Sequence, residues 1–285
     1  MPFLTRTGSI TVDDNRFSYW EAGSGKPVVM LHGNPGTKND FKALAETMSA
    51  EGWRCLAFDR PGHGNSEEAL GDAPDPWLDA TLLAQAAQKI AGGPALWVGY
   101  SLGAFTCLKV ALKNPELVTG LGLIAPFIQP RDPNESPSSV PGMAKGYFLR
   151  SLLGIAMPFL AQSKIRQHLA RVWEPAEIPS TTLDEELRLY TVFEALLSTL
   201  NDKNDMLALL TQVHGQLGEI TCPVLTIVGE KDAVCDPMTQ LKILGEKLPG
   251  LKKVQVPDGG HGIPFTHAEQ ISKSLVQEFG TGALK

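Results

Sequence analysis

Residues 95–112 read ALWVGYSLGAFTCLKVAL. Ala95–Val98 is a short continuous apolar run, which suits a strand buried on both faces. Leu102–Leu112 carries its apolar residues as a helix does. Between them stands Gly99-Tyr100-Ser101-Leu102-Gly103, a G-x-S-x-G motif at a strand–turn–helix junction. The glycines two residues either side of Ser101 have a steric reason. A tight turn there forces the serine backbone toward strain and brings neighbouring backbone too close for side chains. The serine oxygen is lifted into a cleft, with the N–H groups and positive field of a helix start behind it.

The same alternation extends outward on both sides. Ser9–Val12 and Arg16–Ala22 pattern as a hairpin around Asp13-Asp14-Asn15. Strands are expected at Pro27–Leu31, Trp53–Phe58, Leu121–Ile124, Val224–Val228 and Lys253–Val256. Helical spacing joins them, as in Phe41, Leu44, Ala45 and Met48, and again in Ala268, Ile271, Leu275 and Phe279. Alternating strands and helices predict an α/β fold with a mostly parallel sheet covered on both faces, binding ligands beyond the carboxyl ends of its strands. The alternation stops between Pro126 and Gly218. Prolines 126, 130, 133, 137 and 141 open this stretch, and helical pattern fills the rest, with Thr182 and Glu185 at capping-box spacing. The expected organisation is a core of residues 1–127 and 219–285, interrupted by a helical cap of 128–218.

Composition narrows the function classes. The net charge of −6 carries no basic bias toward nucleic acid or anionic membrane. Cys55, Cys107, Cys222 and Cys235 form no C-x-x-C pair and are too scattered for a disulfide framework. The first 15 residues lack the apolar core of a signal peptide. The run Leu152 to Ala161 contains Pro158 and is half the ~20 residues a membrane span needs. The expectation is a cytoplasmic protein with free thiols, monomer or homodimer, acting on a small molecule.

A serine hydroxyl needs a base to become a nucleophile. His261 lies in Asp258-Gly259-Gly260-His261-Gly262, directly after the strand Lys253–Val256. His63 also follows a strand, but within Asp59-Arg60-Pro61-Gly62-His63-Gly64-Asn65-Ser66, which suits a rigid loop with a structural histidine. His168, His214 and His267 lie on expected helices, facing solvent or packing. The base needs a carboxylate to fix its tautomer. Asp232, just past Val224–Val228, fits that role; Glu230, Asp236 and Asp258 are its rivals. The chain order Ser101, Asp232, His261 is the acid-between order of one serine-triad arrangement. His32-Gly33-Asn34-Pro35-Gly36 ends another strand. The backbone N–H groups of Asn34 and Leu102 are the candidate oxyanion donors.

Taken together, His32–Gly36, Asp59–Ser66 (D-x-x-G-x-G-x-S), Gly99–Gly103, Gly229–Asp232 and Gly260-His261 resemble the α/β-hydrolase superfamily, in its cap-bearing branch with an H-G-x-P-G oxyanion loop. The resemblance covers Pro27 to Ile124 and Pro223 to Phe279. It implies a Ser–His–Asp hydrolase needing neither metal nor cofactor. The loop His32-Gly33-Asn34-Pro35 is similar to that of haloalkane dehalogenases. Those enzymes, like epoxide hydrolases, use an aspartate where Ser101 stands. Carbon–carbon bond hydrolases usually place tryptophan after the catalytic histidine, where this chain has Gly262. Proline iminopeptidases hold a free amine with cap carboxylates, and Glu174, Glu177, Glu185, Glu186 and Glu194 are available. Cofactor-free haloperoxidase-like members share the triad.

The function expected first is hydrolysis of a small, largely apolar carboxylic ester, thioester or lactone through an acyl-enzyme on Ser101. A peptidase or carbon–carbon bond hydrolase is the enzymic alternative. A binding protein that kept the triad is the rival from another class. The insert is rich in large apolar residues, among them Met143, Tyr147, Phe148, Leu149, Leu152, Leu153, Ile155, Met157, Phe159 and Leu160. They are expected to pack the cap or to line a mostly apolar pocket.

Overall fold

The computed structural model describes residues 5–67, 77–129, 137–143 and 147–280. The N-terminal hairpin is β1 (Arg6–Val12) and β2 (Asn15–Gly23), followed by β3 (Lys26–Leu31), α1 (Lys42–Ala50), β4 (Trp53–Phe58) and α2 (Leu78–Ala91). Next come β5 (Ala95–Tyr100), α3 (Leu102–Lys113) and β6 (Val118–Ile124). The chain then leaves the sheet for α4 (Val140–Met143), α5 (Tyr147–Trp173), α6 (Ser180–Tyr190) and α7 (Phe193–Gln216). It returns as β7 (Val224–Gly229), α8 (Pro237–Lys247), β8 (Lys252–Val256), α9 (Ile263–Thr266) and α10 (Ala268–Phe279).

The strands form one sheet in the order β1-β2-β4-β3-β5-β6-β7-β8. β1 and β2 are antiparallel to their neighbours, and β3 to β8 run parallel. This is the mostly parallel α/β sheet expected from the alternation. β5 and β7 are buried at every residue, which is why they read as unbroken apolar runs. One apolar cluster, including Trp97, Phe105 and Leu83, covers one face; another, including Trp20, Phe41 and Leu275, covers the other. From β3 the chain first moves outward to β4, then back across to β5 on the other side. The loops after β3 and β5 therefore diverge at a switch point, where such sheets open a cleft.

The helical stretch departs from the sequence expectation in three places. The capping box at Thr182 and Glu185 is not used. α6 begins at Ser180, directly after Pro179, whose backbone is extended and makes no side-chain cap. Pro141 lies inside the short helix α4, at its second residue, where a missing N–H costs nothing. Leu152, Ile155, Phe159 and Leu160 are exposed on α5, Phe159 by 79%. Leu153 and Met157, on the opposite face, pack against Phe193 and Leu197. Prolines 130 and 133 and the side chains of Met143, Tyr147, Phe148 and Leu149 lie outside the described residues.

Candidate active site

Ser101 stands between β5 and α3 with φ +53°, a conformation that costs a non-glycine residue on the order of 1–3 kcal/mol. The surroundings hold it there. Its N–H donates to Ile124 O at 2.9 Å, and its carbonyl accepts from Ala104 N and Phe127 N. The flanking glycines are required by contact. A Cβ on Gly99 would lie 2.4 Å from Gly103 O, and one on Gly103 would lie 2.1 Å from Leu31 O. The helix start therefore sits against the end of β3, and the serine side chain is directed beyond the sheet.

His261 and Asp232 reach Ser101 from the loops after β8 and β7. His261 Nδ1 donates to Asp232 Oδ2 at 2.7 Å, and Ser101 Oγ lies 2.9 Å from His261 Nε2. Both side chains are almost wholly buried. Gly229 lets the two loops meet, since a Cβ there would lie 2.3 Å from the carbonyls of Gly259 and Gly260. The second oxygen of Asp232 accepts from Val234 N and Cys235 N at 2.8 and 2.9 Å. Burial alone would raise the Asp232 carboxyl; His261 and these N–H groups hold it below its ordinary value. The rivals are engaged elsewhere. Asp236 caps α8 through Thr239 N, and Asp258 pairs with Lys231 at the surface.

One neighbour of Asp232 and His261 carries no sequence signal. Cys235 Sγ lies 3.4 Å from Asp232 Oδ2 and 3.6 Å from His261 Nδ1. Burial pushes its thiol well up, so it stays protonated and donates to the carboxylate. The ligand atoms of Asp232, Cys235 and His261 lie within 4.8 Å of one another. In this arrangement they are engaged in hydrogen bonds with each other.

The His32–Gly36 loop lies directly on the serine, with a Cβ on Gly33 only 3.1 Å from Ser101 Cβ. His32 organises this loop. Its Nε2 accepts from Arg60 N at 2.9 Å, so Nδ1 carries the proton and faces Gly33 O at 2.8 Å. Burial, then Arg60, pushes the imidazole well below its ordinary pKa, which keeps it neutral. Arg60 also donates to the carbonyls of His32 and Gly33. Asn34 donates from Nδ2 to Thr199 O on α7 at 2.9 Å, and its Oδ1 is buried without a partner.

His63 is structural, as its loop suggests: Nε2 donates to Asp202 Oδ2 at 2.7 Å, beside Arg60 Nη2 at 2.8 Å from the same oxygen. Asp202 belongs to α7. Burial would raise its carboxyl, but Arg60 and His63 outweigh that and hold it at about 2. His214 bonds Ile128 O, and His267 contacts Thr266 Oγ1.

His168 departs from expectation. It lines the Ser101 cavity, a narrow space of about 20 Å³ that also takes in Asn34, Asp40, Tyr100, Glu186, Tyr190 and His261. Burial lowers the His168 pKa to about 4, leaving it neutral. Burial, then the Glu186 charge, raises the Asp40 carboxyl well above its usual range. Burial, then Glu185, pushes Glu186 up to about 7. The apolar residues of α5 suggested a mostly apolar pocket, but the immediate lining is largely polar. Only tertiary orientation reveals this, because helical spacing does not say which face meets the sheet.

The chain matches the family model described as alpha/beta hydrolase fold over residues 26–268. It is 30% identical over 261 residues to a pimeloyl-[acyl-carrier protein] methyl ester esterase of Shewanella woodyi, covering 89% of this chain and 93% of that protein. A protein of the same name from Neisseria meningitidis is 26% identical over 263 residues, covering 91% and 95%. Among solved structures, Cfl2 of Burkholderia cenocepacia superposes with a TM-score of 0.76 at 21% identity, covering 96% and 95% of the two chains.

Proposed function

Because this chain belongs to the alpha/beta hydrolase fold family, we propose that it is a serine ester hydrolase working through an acyl-enzyme on Ser101. The observation that carries this is one imidazole held between two partners, Asp232 at 2.7 Å and Ser101 Oγ at 2.9 Å. His261 takes the serine proton as Oγ attacks the ester carbonyl, then gives it to the leaving alcohol. Asp232 keeps the proton on Nδ1 and stabilises the imidazolium. The backbone N–H groups of Asn34 and Leu102 receive the oxyanion, each worth ~10²–10³ in rate. Water activated by His261 then releases the acid.

Residues 128–218 act as the cap. They carry Glu186, His168 and Tyr190 to the cavity and so choose the substrate. The substrate is a small carboxylic ester, thioester or lactone, and the naming of the relatives favours a methyl ester. A second reading has one observation behind it. Asp40 and Glu186 share the cavity with Ser101, and paired carboxyls suit a substrate amine, as an iminopeptidase requires.

A fluorophosphonate probe tests the reaction class. It is expected to label Ser101, and Ser101→Ala is expected to lose both labelling and ester turnover with the fold intact. Labelling of another serine, or an active Ser101→Ala, overturns the assignment. Faster turnover of proline p-nitroanilide than of any p-nitrophenyl ester selects the second reading.

A further inference from the structure

The space around Ser101, about 20 Å³, holds little more than one water-sized group. A cavity of about 560 Å³ lies beside it, between the Gly62–Glu67 loop and the α6–α7 corner. Tyr190 lines both cavities. It is the last residue of α6, and its hydroxyl donates to Asp40 Oδ1 at a long 3.4 Å. The larger cavity is apolar over most of its surface, with Leu189, Val192, Ala195 and the glycines 36, 62 and 64, while His63, Glu67 and Glu194 also border it. A substrate bound at Ser101 must displace something. Tyr190 is the one residue common to the linings of the two spaces.

Resting on the ester hydrolase reading, we propose that Tyr190 sets the chain-length limit of this enzyme, and that the cavity behind it is a subsite for an unbranched alkyl chain. With the ring in place the acyl group must be short. With the ring removed the two spaces join, and each added methylene gains contact. Burial of a methylene is worth about fourfold in kcat/KM until the space is filled. The ring is held by its packing with Leu187 and Leu196 and sets the limit by its volume, so the long hydroxyl bond to Asp40 is not needed for it.

The experiment measures kcat/KM for p-nitrophenyl butyrate, hexanoate, octanoate and decanoate. Beside it stand labelling rates of Ser101 by alkyl fluorophosphonates of matching length. In the native protein both series are expected to fall with length. Tyr190→Ala should raise the decanoate-to-butyrate ratio by ~10² or more, and Tyr190→Phe should leave it near the native value. Tyr190→Leu serves the same purpose should the alanine variant fold poorly. Adding Ala195→Trp to Tyr190→Ala refills the second cavity and should return the ratio to native. A native enzyme that already prefers decanoate overturns the proposal. So does an unchanged ratio in both Tyr190→Ala and Tyr190→Leu, or a gain that survives Ala195→Trp. Absence of labelling at every chain length marks failure of the serine hydrolase reading itself. Labelling with an unchanged length profile marks failure of the Tyr190 assignment alone.

Discussion

The parallel sheet and the helical insert both reach the Ser101 cavity, but they are fastened to it differently. On the sheet side, backbone meets backbone. Gly103 abuts the carbonyls of Leu31 and His32, Gly229 abuts Gly259 and Gly260, and β5 has no exposed residue. Little can move there without breaking strand register. On the insert side, polar side-chain bonds predominate, Asp202 to Arg60 and His63, Asn34 to Thr199 and Tyr190 to Asp40, and backbone meets backbone where the end of α5 touches the His261 loop, with Gly262 N donating to Val172 O at 2.7 Å. The insert leaves Ile155, Phe159 and Leu160 exposed, and Gly154 on α5 has only Phe193 ring atoms at 3.8–3.9 Å around a notional Cβ. The two regions divide the work. In the proposed reaction the rigid side holds the reacting groups, and the looser side supplies the groups that choose the substrate.

The sharpest test of that division is at Asp232. Asp232→Asn leaves the backbone contacts of its loop in place but removes the acceptor that fixes the His261 tautomer. A loss of about 10⁴ in kcat with little change in Tm is expected, as in the serine-protease template. Equal damage from Asp236→Asn would show that the wrong carboxylate has been chosen. Next come two glycines. Gly103→Ala places a methyl 2.1 Å from Leu31 O and should cost about 3 kcal/mol in denaturant unfolding. Gly154→Ala meets only ordinary contacts and should stabilise by up to ~1 kcal/mol through helix propensity. If both substitutions cost alike, the contrast between tight sheet and loose insert is wrong.

Asp202→Asn probes the fastening between the two. The folded carboxyl titrates at about 2, against ~3.9 unfolded, so the ion pairs contribute about 2–3 kcal/mol at neutral pH. The contribution is complete above about pH 5 and disappears as pH falls through about 2. The stability gap between native and variant protein should therefore be largest at pH 5–7 and close in acid. A gap independent of pH would remove the ion pair as its cause. The smallest effect is expected at Glu186. Its carboxyl ionises as pH rises through about 7, bringing negative charge into the cavity where the proposed oxyanion forms. In the native enzyme kcat/KM should dip a few-fold above that pH, and in Glu186→Gln the dip should vanish. A dip that persists belongs to another group.

What the sequence disclosed follows the same division. Strand runs such as Val224–Val228 and the motif at Ser101 are legible because buried parallel strands and tight turns restrict residue type locally. His261 and Asp232 could be chosen because each follows a strand, and strand ends share one edge of the sheet. His168, Glu186 and Tyr190 could not be chosen this way. Each sits on a helix whose orientation is set by contacts far away in the chain, and their spacing is equally that of packing residues. Cys235 was hidden for another reason. It meets Asp232 only because the loop turns back on the carboxylate, through N–H bonds from residues 234 and 235. The exposed face of α5 shows the opposite limit, where apolar side chains read as core stand in solvent.

The insert departs from β6 and returns at β7, and these strands are neighbours, with Leu121 paired to Val224 and Ala125 N bonded to Ile227 O. The departure and return points are thus already clasped by the sheet. Lengthening, shortening or exchanging everything between them adds only a closure entropy that grows slowly with length, about 0.6 kcal/mol per doubling. The fold is in this sense a socket. A different helical module placed there leaves Ser101, His261 and Asp232 on untouched loops. A laboratory graft between residues 127 and 219 exploits the same geometry.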